Sequence, residues 1–133
     1  MESTQSATVR KRILLVDDDP SIIESTSLAL ELAGYEVDTA PDGEVGLAKA
    51  ERRRPDLLIL DMMTPKRSGF LVLETLRQID DFPTRIIMIT ANDGNRHRNY
   101  AESLGVDAYV LKPFQMDDLL ATVKRLLEGN ANE

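Results

Sequence analysis

Cysteine and tryptophan are absent from the 133 residues, and histidine occurs once. Without cysteine there is no disulfide, no thiolate nucleophile and no cysteine-based zinc or iron–sulfur site, and one imidazole excludes a histidine-rich metal centre. No apolar run approaches the roughly 18 residues a membrane span requires. The first ten residues, MESTQSATVR, lack the apolar core of a secretory signal. Positive charge is also short: 16 Lys and Arg stand against 23 Asp and Glu, for a formal charge of -7. Sequence-independent binding to nucleic acid or to an acidic membrane needs Lys and Arg to neutralise phosphates, so neither partner is expected. What remains is a cytoplasmic, acidic chain whose length fits one domain with a real core. Residues 1–10 and 129–133 read as polar, disordered tails.

What the sequence does have is an alternation. Apolar runs lie between Arg12 and Asp17, from Tyr35 to Ala40, between Asp56 and Asp61, from Arg85 to Thr90, and from Ala108 to Lys112. Four are nearly continuous, as for strands covered on both faces; Tyr35 to Ala40 alternates and reads as an edge. Between them run helical stripes. From Ser21 the stripe is Ile22/Ile23, Thr26, Ala29/Leu30 and Ala33, with Pro20 suited to the first turn and Gly34 as a stop. From Glu44 it is Val45, Leu47/Ala48 and Glu51, where Gly46 costs about 1 kcal/mol relative to Ala and predicts a weak helix. From Ser68 it is Leu71/Val72, Thr75/Leu76 and Ile79, and from Gln115 it is Leu119/Leu120, Val123 and Leu126/Leu127. The segment from Gly94 to Leu104 offers only His97, Tyr100, Ala101 and Leu104, so a loosely packed, mobile helix with fast amide exchange is expected there. The alternation spells a three-layer (βα)5 α/β domain, with parallel strands and right-handed crossovers that put helices on both faces.

The carboxyl ends of the strands carry the chemistry. Strand one ends in Asp17, Asp18 and Asp19, strand three in Asp61, strand four in Thr90 and strand five in Lys112. Ligands of open parallel sheets bind there, where the strand order reverses. With order 2-1-3-4-5, strands one and three are neighbours about 4.8 Å apart, so their acids crowd together. Three carboxylates repel unless neutralised; Mg2+ with one lysine balances them, and Mg2+ suits one or two carboxylates, waters and a phosphoryl group. One carboxylate is then a nucleophile for phosphoryl transfer, with Lys112 and the Thr90 hydroxyl left for the phosphoryl oxygens. Taken singly, the acids also read as turn and cap residues, Asp19 above all as a helix N-cap.

The segments ILLVDDDP, GYEVDTAPDGEVGL, PDLLILDMMTPKRSGF, IIMITA and AYVLKPF together resemble the receiver domain of two-component response regulators. The resemblance covers residues 11–128, with every motif in order. It implies a flavodoxin-like fold and a module in a phosphorelay, which the length of the chain makes a stand-alone, chemotaxis-type one unless it is cut from a longer regulator. It also implies Asp61 as phospho-acceptor, with Asp17, Asp18, Asp61 and the Met63 backbone carbonyl around Mg2+. Thr90 and Lys112 would bind the phosphoryl group, and Tyr109 would follow Thr90 in the switch. Met63 and Asn92 would tune dephosphorylation, and Lys112–Pro113 would be cis. The donor would be a sensor histidine kinase or a histidine phosphotransfer protein, and an unknown output protein would read the helix 4–strand 5–helix 5 face. A monomer is expected, with dimerisation on phosphorylation left open. Such a protein is no turnover enzyme; it catalyses only its own phosphoryl transfer and dephosphorylation.

Departures from that pattern are Thr64, where a larger apolar residue is common before Pro65, and the weakly apolar fourth helix. His97 reads as a surface residue, Arg96 to Arg98 as a solvated face or a docking patch for an acidic partner, and Arg52 to Arg54 as the last turn of a helix. Three other readings compete. A haloacid dehalogenase-type phosphohydrolase wants an acid where Met63 stands. A flavin carrier wants a Ser/Thr/Gly-rich phosphate loop where the three acids stand. A receiver-like interaction module would work without phosphorylation, despite an intact acceptor set.

Overall fold

The computed structural model describes residues 10–91 and 94–129. Its strands are β1 (Arg12–Val16), β2 (Glu36–Ala40), β3 (Leu57–Asp61), β4 (Arg85–Thr90) and β5 (Ala108–Leu111). Its helices are α1 (Pro20–Leu32), α2 (Gly43–Arg53), α3 (Gly69–Arg77), α4 (Asn95–Ser103) and α5 (Met116–Glu128). All pairings are parallel and the strand order is 2-1-3-4-5, the flavodoxin-like (βα)5 arrangement expected from the alternation.

Each central strand sends alternate side chains to opposite faces, because successive β carbons point to opposite sides of a sheet. Leu14 and Val16, Leu58 and Leu60, and Ile86 and Met88 meet Leu47 and Ala50 of α2, Val72, Leu73 and Leu76 of α3, and Ala101 of α4. Ile13 and Leu15, Leu57 and Ile59, and Ile87 and Ile89 meet Leu30 of α1 with Leu119 and Val123 of α5. The sheet thus separates two cores. Local signals fix the helix starts. Asp19, Asp42 and Ser68 each cap their helix with a side-chain oxygen, accepting from the amides of Ser21, Val45 and Leu71 respectively.

One element differs from the sequence reading. The apolar run of β5 looks like a strand covered on both faces, yet Ala108, Tyr109 and Val110 are only half-buried and Leu111 is exposed. As the second edge strand it has a neighbour on one side only. Gly46 also marks a close crossing that its helix propensity does not reveal: a β carbon there would lie 2.8 Å from Cγ2 of the fully buried Val16. For α4 the sparse packing is present. Ala101 is its one fully buried side chain, and Gly94 at the cap position offers no capping side chain. Its aromatic rim does make contacts. His97 stacks on Phe70 at 5.8 Å and is half-buried rather than a free surface residue, and Tyr100 meets Phe70 edge-on at 5.2 Å. The Tyr100 hydroxyl donates to Glu74 of α3.

Candidate functional site

Strand register assembles the site. Val16 lies beside Leu60, so Asp17 and Asp61, one residue further on in each strand, fall side by side at the carboxyl edge. Asp61 pairs with Ile89 and Thr90 with Leu111, which carries Thr90 and Lys112 to the same edge; the Lys112 amide donates to the Thr90 carbonyl at 2.7 Å. The spacing that the motifs implied is therefore produced by four neighbouring strand ends.

Asp17 is fully buried. Its Oδ1 accepts from the Asp19 amide at 3.0 Å, while Oδ2 makes no well-aligned hydrogen bond among the described residues and lies 3.0 Å from the Lys112 ammonium. Asp61, also buried, accepts from the Met63 amide at 3.1 Å through Oδ1, and its Oδ2 lies 3.4 Å from Lys112 Nζ. Asp18 is exposed, and carboxylate oxygens of Asp17, Asp18 and Asp61 all lie within 4.8 Å of one another. Asp19 stays out of this cluster among the described residues and caps α1 instead, as its place in the run suggested.

The charges hold one another in place. Burial pushes the Asp61 carboxyl above its ordinary pKa, and the Asp17 charge adds to that, against the opposing pull of the Met63 amide and Lys112. Burial works to lower the Lys112 pKa, but its bond to Asp17 and the charges of Asp61 and Asp17 outweigh it and raise the ammonium above the usual lysine range. A single lysine thus bridges two buried acids, with a third acid at the rim. An under-coordinated buried oxygen, three convergent carboxylates and only one cation are the donor set a small hard divalent ion takes. The residues present fit Mg2+.

The remaining expected residues fall as follows. Thr90 is fully buried at the end of β4. Tyr109 is half-buried against the α2–α3–α4 core, with the Arg98 guanidinium 5.4 Å above its ring. The Met63 side chain is 69% exposed beside Asp61. The Lys112–Pro113 bond is cis. Asn92 lies outside the described residues. One residue was missed: Thr64 is buried, and its hydroxyl donates to the Arg67 carbonyl at 2.7 Å, closing the loop that follows Asp61. The only signal in the sequence was that threonine is unusual before this proline.

The family model for the response regulator receiver domain matches residues 13–124. Among curated proteins, the chain is 44% identical over 120 residues to the alkaline phosphatase synthesis transcriptional regulatory protein PhoP of Bacillus subtilis, covering 90% of this chain and 49% of that one. It is 42% identical over 119 residues to the DNA-binding dual master transcriptional regulator RpaA of Synechocystis, covering 87% and 48%. Among solved structures, a CheY-like response regulator receiver domain protein from Methanospirillum hungatei superposes with a TM-score of 0.85 at 36% identity, covering 90% of this chain and 95% of that one. The chain spans about half the length of the curated relatives it matches. These relatives leave the exclusion of nucleic acid as a partner without support, because acidity speaks only for this domain's own surface. No helix among the described residues is long and apolar enough to cross a membrane.

Proposed function

The chain belongs to the response regulator receiver family of two-component systems, and from that premise we propose that Asp61 is its phospho-acceptor. The donor is a sensor histidine kinase or a histidine phosphotransfer protein. An Asp61 carboxylate oxygen bonds to phosphorus, the phosphorus–nitrogen bond breaks, and the donor histidine, already protonated on its other ring nitrogen, leaves as a neutral imidazole. Asp17, Asp18, Asp61 and the Met63 backbone carbonyl hold Mg2+, which supplies charge neutralisation for the phosphoryl oxygens. Lys112, now shared by Asp17 and Asp61, pairs with the phosphoryl group, and the Met63 amide keeps Asp61 oriented for in-line attack. The Thr90 hydroxyl donates to a phosphoryl oxygen. The observation that carries this reading is the convergence of three carboxylates within 4.8 Å around one bridging lysine.

Thr90 moves towards the new phosphoryl group and Tyr109 follows, remodelling the face formed by α4, β5 and α5, where an output partner or an attached output module reads the state. Met63 and Asn92, two positions after Asp61 and Thr90 in the sequence, tune the lifetime of the phosphoryl group, and the bulky, exposed Met63 side chain lengthens it by hindering the attacking water. A dehalogenase-type hydrolase is not favoured, because an exposed methionine stands at the position of its general acid. A flavin carrier is not favoured either, because acids fill the phosphate loop. The test is intact mass after incubation with acetyl phosphate, in Mg2+ and in EDTA, for wild type and Asp61→Asn. A Mg2+-dependent gain of one phosphoryl group that disappears in the variant is the expected result. A wild type that gains none and also fails to form a stable beryllofluoride complex would point to a binding module that works without phosphorylation.

A further inference from the structure

The loop between Asp61 and α3 is tied down at several points. The Thr64 hydroxyl donates to the Arg67 carbonyl at 2.7 Å. The Arg67 amide donates to the Pro65 carbonyl at 2.7 Å, and the same Pro65 carbonyl receives the Gly43 amide of α2 at 3.2 Å. Gly43 lies so close that a β carbon there would overlap the Arg67 carbonyl oxygen. At the loop's far end the Gly69 amide donates to the Met62 carbonyl at 2.9 Å, and a β carbon on Gly69 would lie 2.6 Å from the Asp61 carbonyl oxygen. Thr64 is the one side chain that spans the turn from within, and it is 6% exposed. It is also the residue next to Met63, whose amide orients Asp61.

We infer that Thr64 is a positioning residue for the reaction at Asp61: its hydroxyl, by fixing the Arg67 carbonyl against Gly43, holds the Met63 backbone where its amide orients Asp61 and its carbonyl completes the metal site. The inference rests on the phosphoryl-transfer reading. A larger apolar residue at this position would fill the same space but would leave the turn without its side-chain bond. The chain therefore closes the loop by a hydrogen bond rather than by bulk. A buried hydroxyl bonded to a backbone carbonyl fixes direction as well as contact, whereas an apolar plug fixes only volume.

The test uses Thr64→Val, which keeps the shape and removes the donor, Thr64→Ser, which keeps the donor, and Thr64→Met, which supplies the bulk. Three quantities are read: hydrogen exchange of the Met63 amide in metal-free protein, Mg2+ affinity by calorimetry, and the initial rate of acetyl phosphate uptake as a function of donor concentration. Val and Met are expected to speed Met63 exchange and to weaken Mg2+ by about fivefold, the order that one net hydrogen bond supports. Their maximal uptake rate should fall with little change in half-saturation, and Ser should restore all three. Val indistinguishable from wild type would overturn the inference, and so would Ser failing as badly as Val, since packing rather than bonding would then set the loop. Wild type that takes up no phosphoryl group defeats the functional reading instead, and exchange at Met63 still decides the role of Thr64.

Discussion

At the scale of single residues, the site carries more negative charge than its own lysine neutralises. The Asp61 carboxyl has a folded-state pKa above its unfolded value, chiefly through burial and then through Asp17. For such a group the ionised form disfavours folding, so its contribution is most favourable below the unfolded pKa and is lost as pH rises through the folded one. Asp61→Asn removes that charge while Lys112 keeps Asp17 at 3.0 Å. The metal-free variant should therefore be more stable than wild type at neutral pH by about 1 kcal/mol, the usual order for relieving an ill-compensated buried charge, and should melt higher accordingly. The difference should shrink on acidification, as wild-type Asp61 takes up its proton. Mg2+ should raise the melting temperature of wild type more than that of the variant, since the variant lacks one of the three carboxylates that would hold it. Calorimetric scans across pH, with and without the ion, measure all three effects. The placement of Asp17, Asp61, Thr90 and Lys112 was legible in the sequence because strand ends fix position by counting. The role of Thr64 was not, because a hydroxyl reaching a carbonyl three residues away depends on a turn that spacing does not reveal.

At the scale of elements, legibility followed the length and continuity of the apolar pattern. β1, β3 and β4 read as strands covered on both faces, and each of their residues is buried except Arg12 and Arg85 at the starts of β1 and β4. β5 has a similar apolar run, but its burial is set by what lies beyond it in the sheet, and nothing in four residues states that no sixth strand follows. The close crossing at Gly46 was not legible for a related reason. Helix propensity is a local quantity, whereas the need for glycine comes from Val16, thirty positions earlier in the chain and fully buried. Gly46→Ala should therefore destabilise the protein by about 1–2 kcal/mol, despite alanine's better propensity, because a rigid, packed valine cannot move aside. Chemical denaturation with an unchanged m-value would report it; a gain in stability would show that α2 can lift off the sheet at no cost.

At the scale of the whole molecule, stability is unevenly distributed. α1 and α5 share a core with the inner faces of β1, β3 and β4, while α4 reaches the opposite core through Ala101 and rests otherwise on an aromatic rim from Phe70. Regions with few buried apolar contacts open at low free-energy cost. Amides of α4 should accordingly exchange faster than those of α1 and α5 in the unphosphorylated protein, by roughly tenfold or more for a difference above about 1.4 kcal/mol. Hydrogen exchange followed by mass spectrometry resolves this, and protection of α4 equal to that of β3 would contradict it.

The sheet also acts as a partition. Three central strands, closed on both faces, stand between the two cores, so a rearrangement of one core has no direct route into the other. The two edge strands are the exceptions, and β5, which leads into Lys112, is the one that meets Thr90 at the carboxyl edge: it is half-buried, with a neighbour on one side only. On the proposed phosphoryl-transfer reading, a disturbance that begins at Asp61 is expected to leave towards that edge. The three central strands, closed on both faces, would then be the fixed frame against which that displacement is measured.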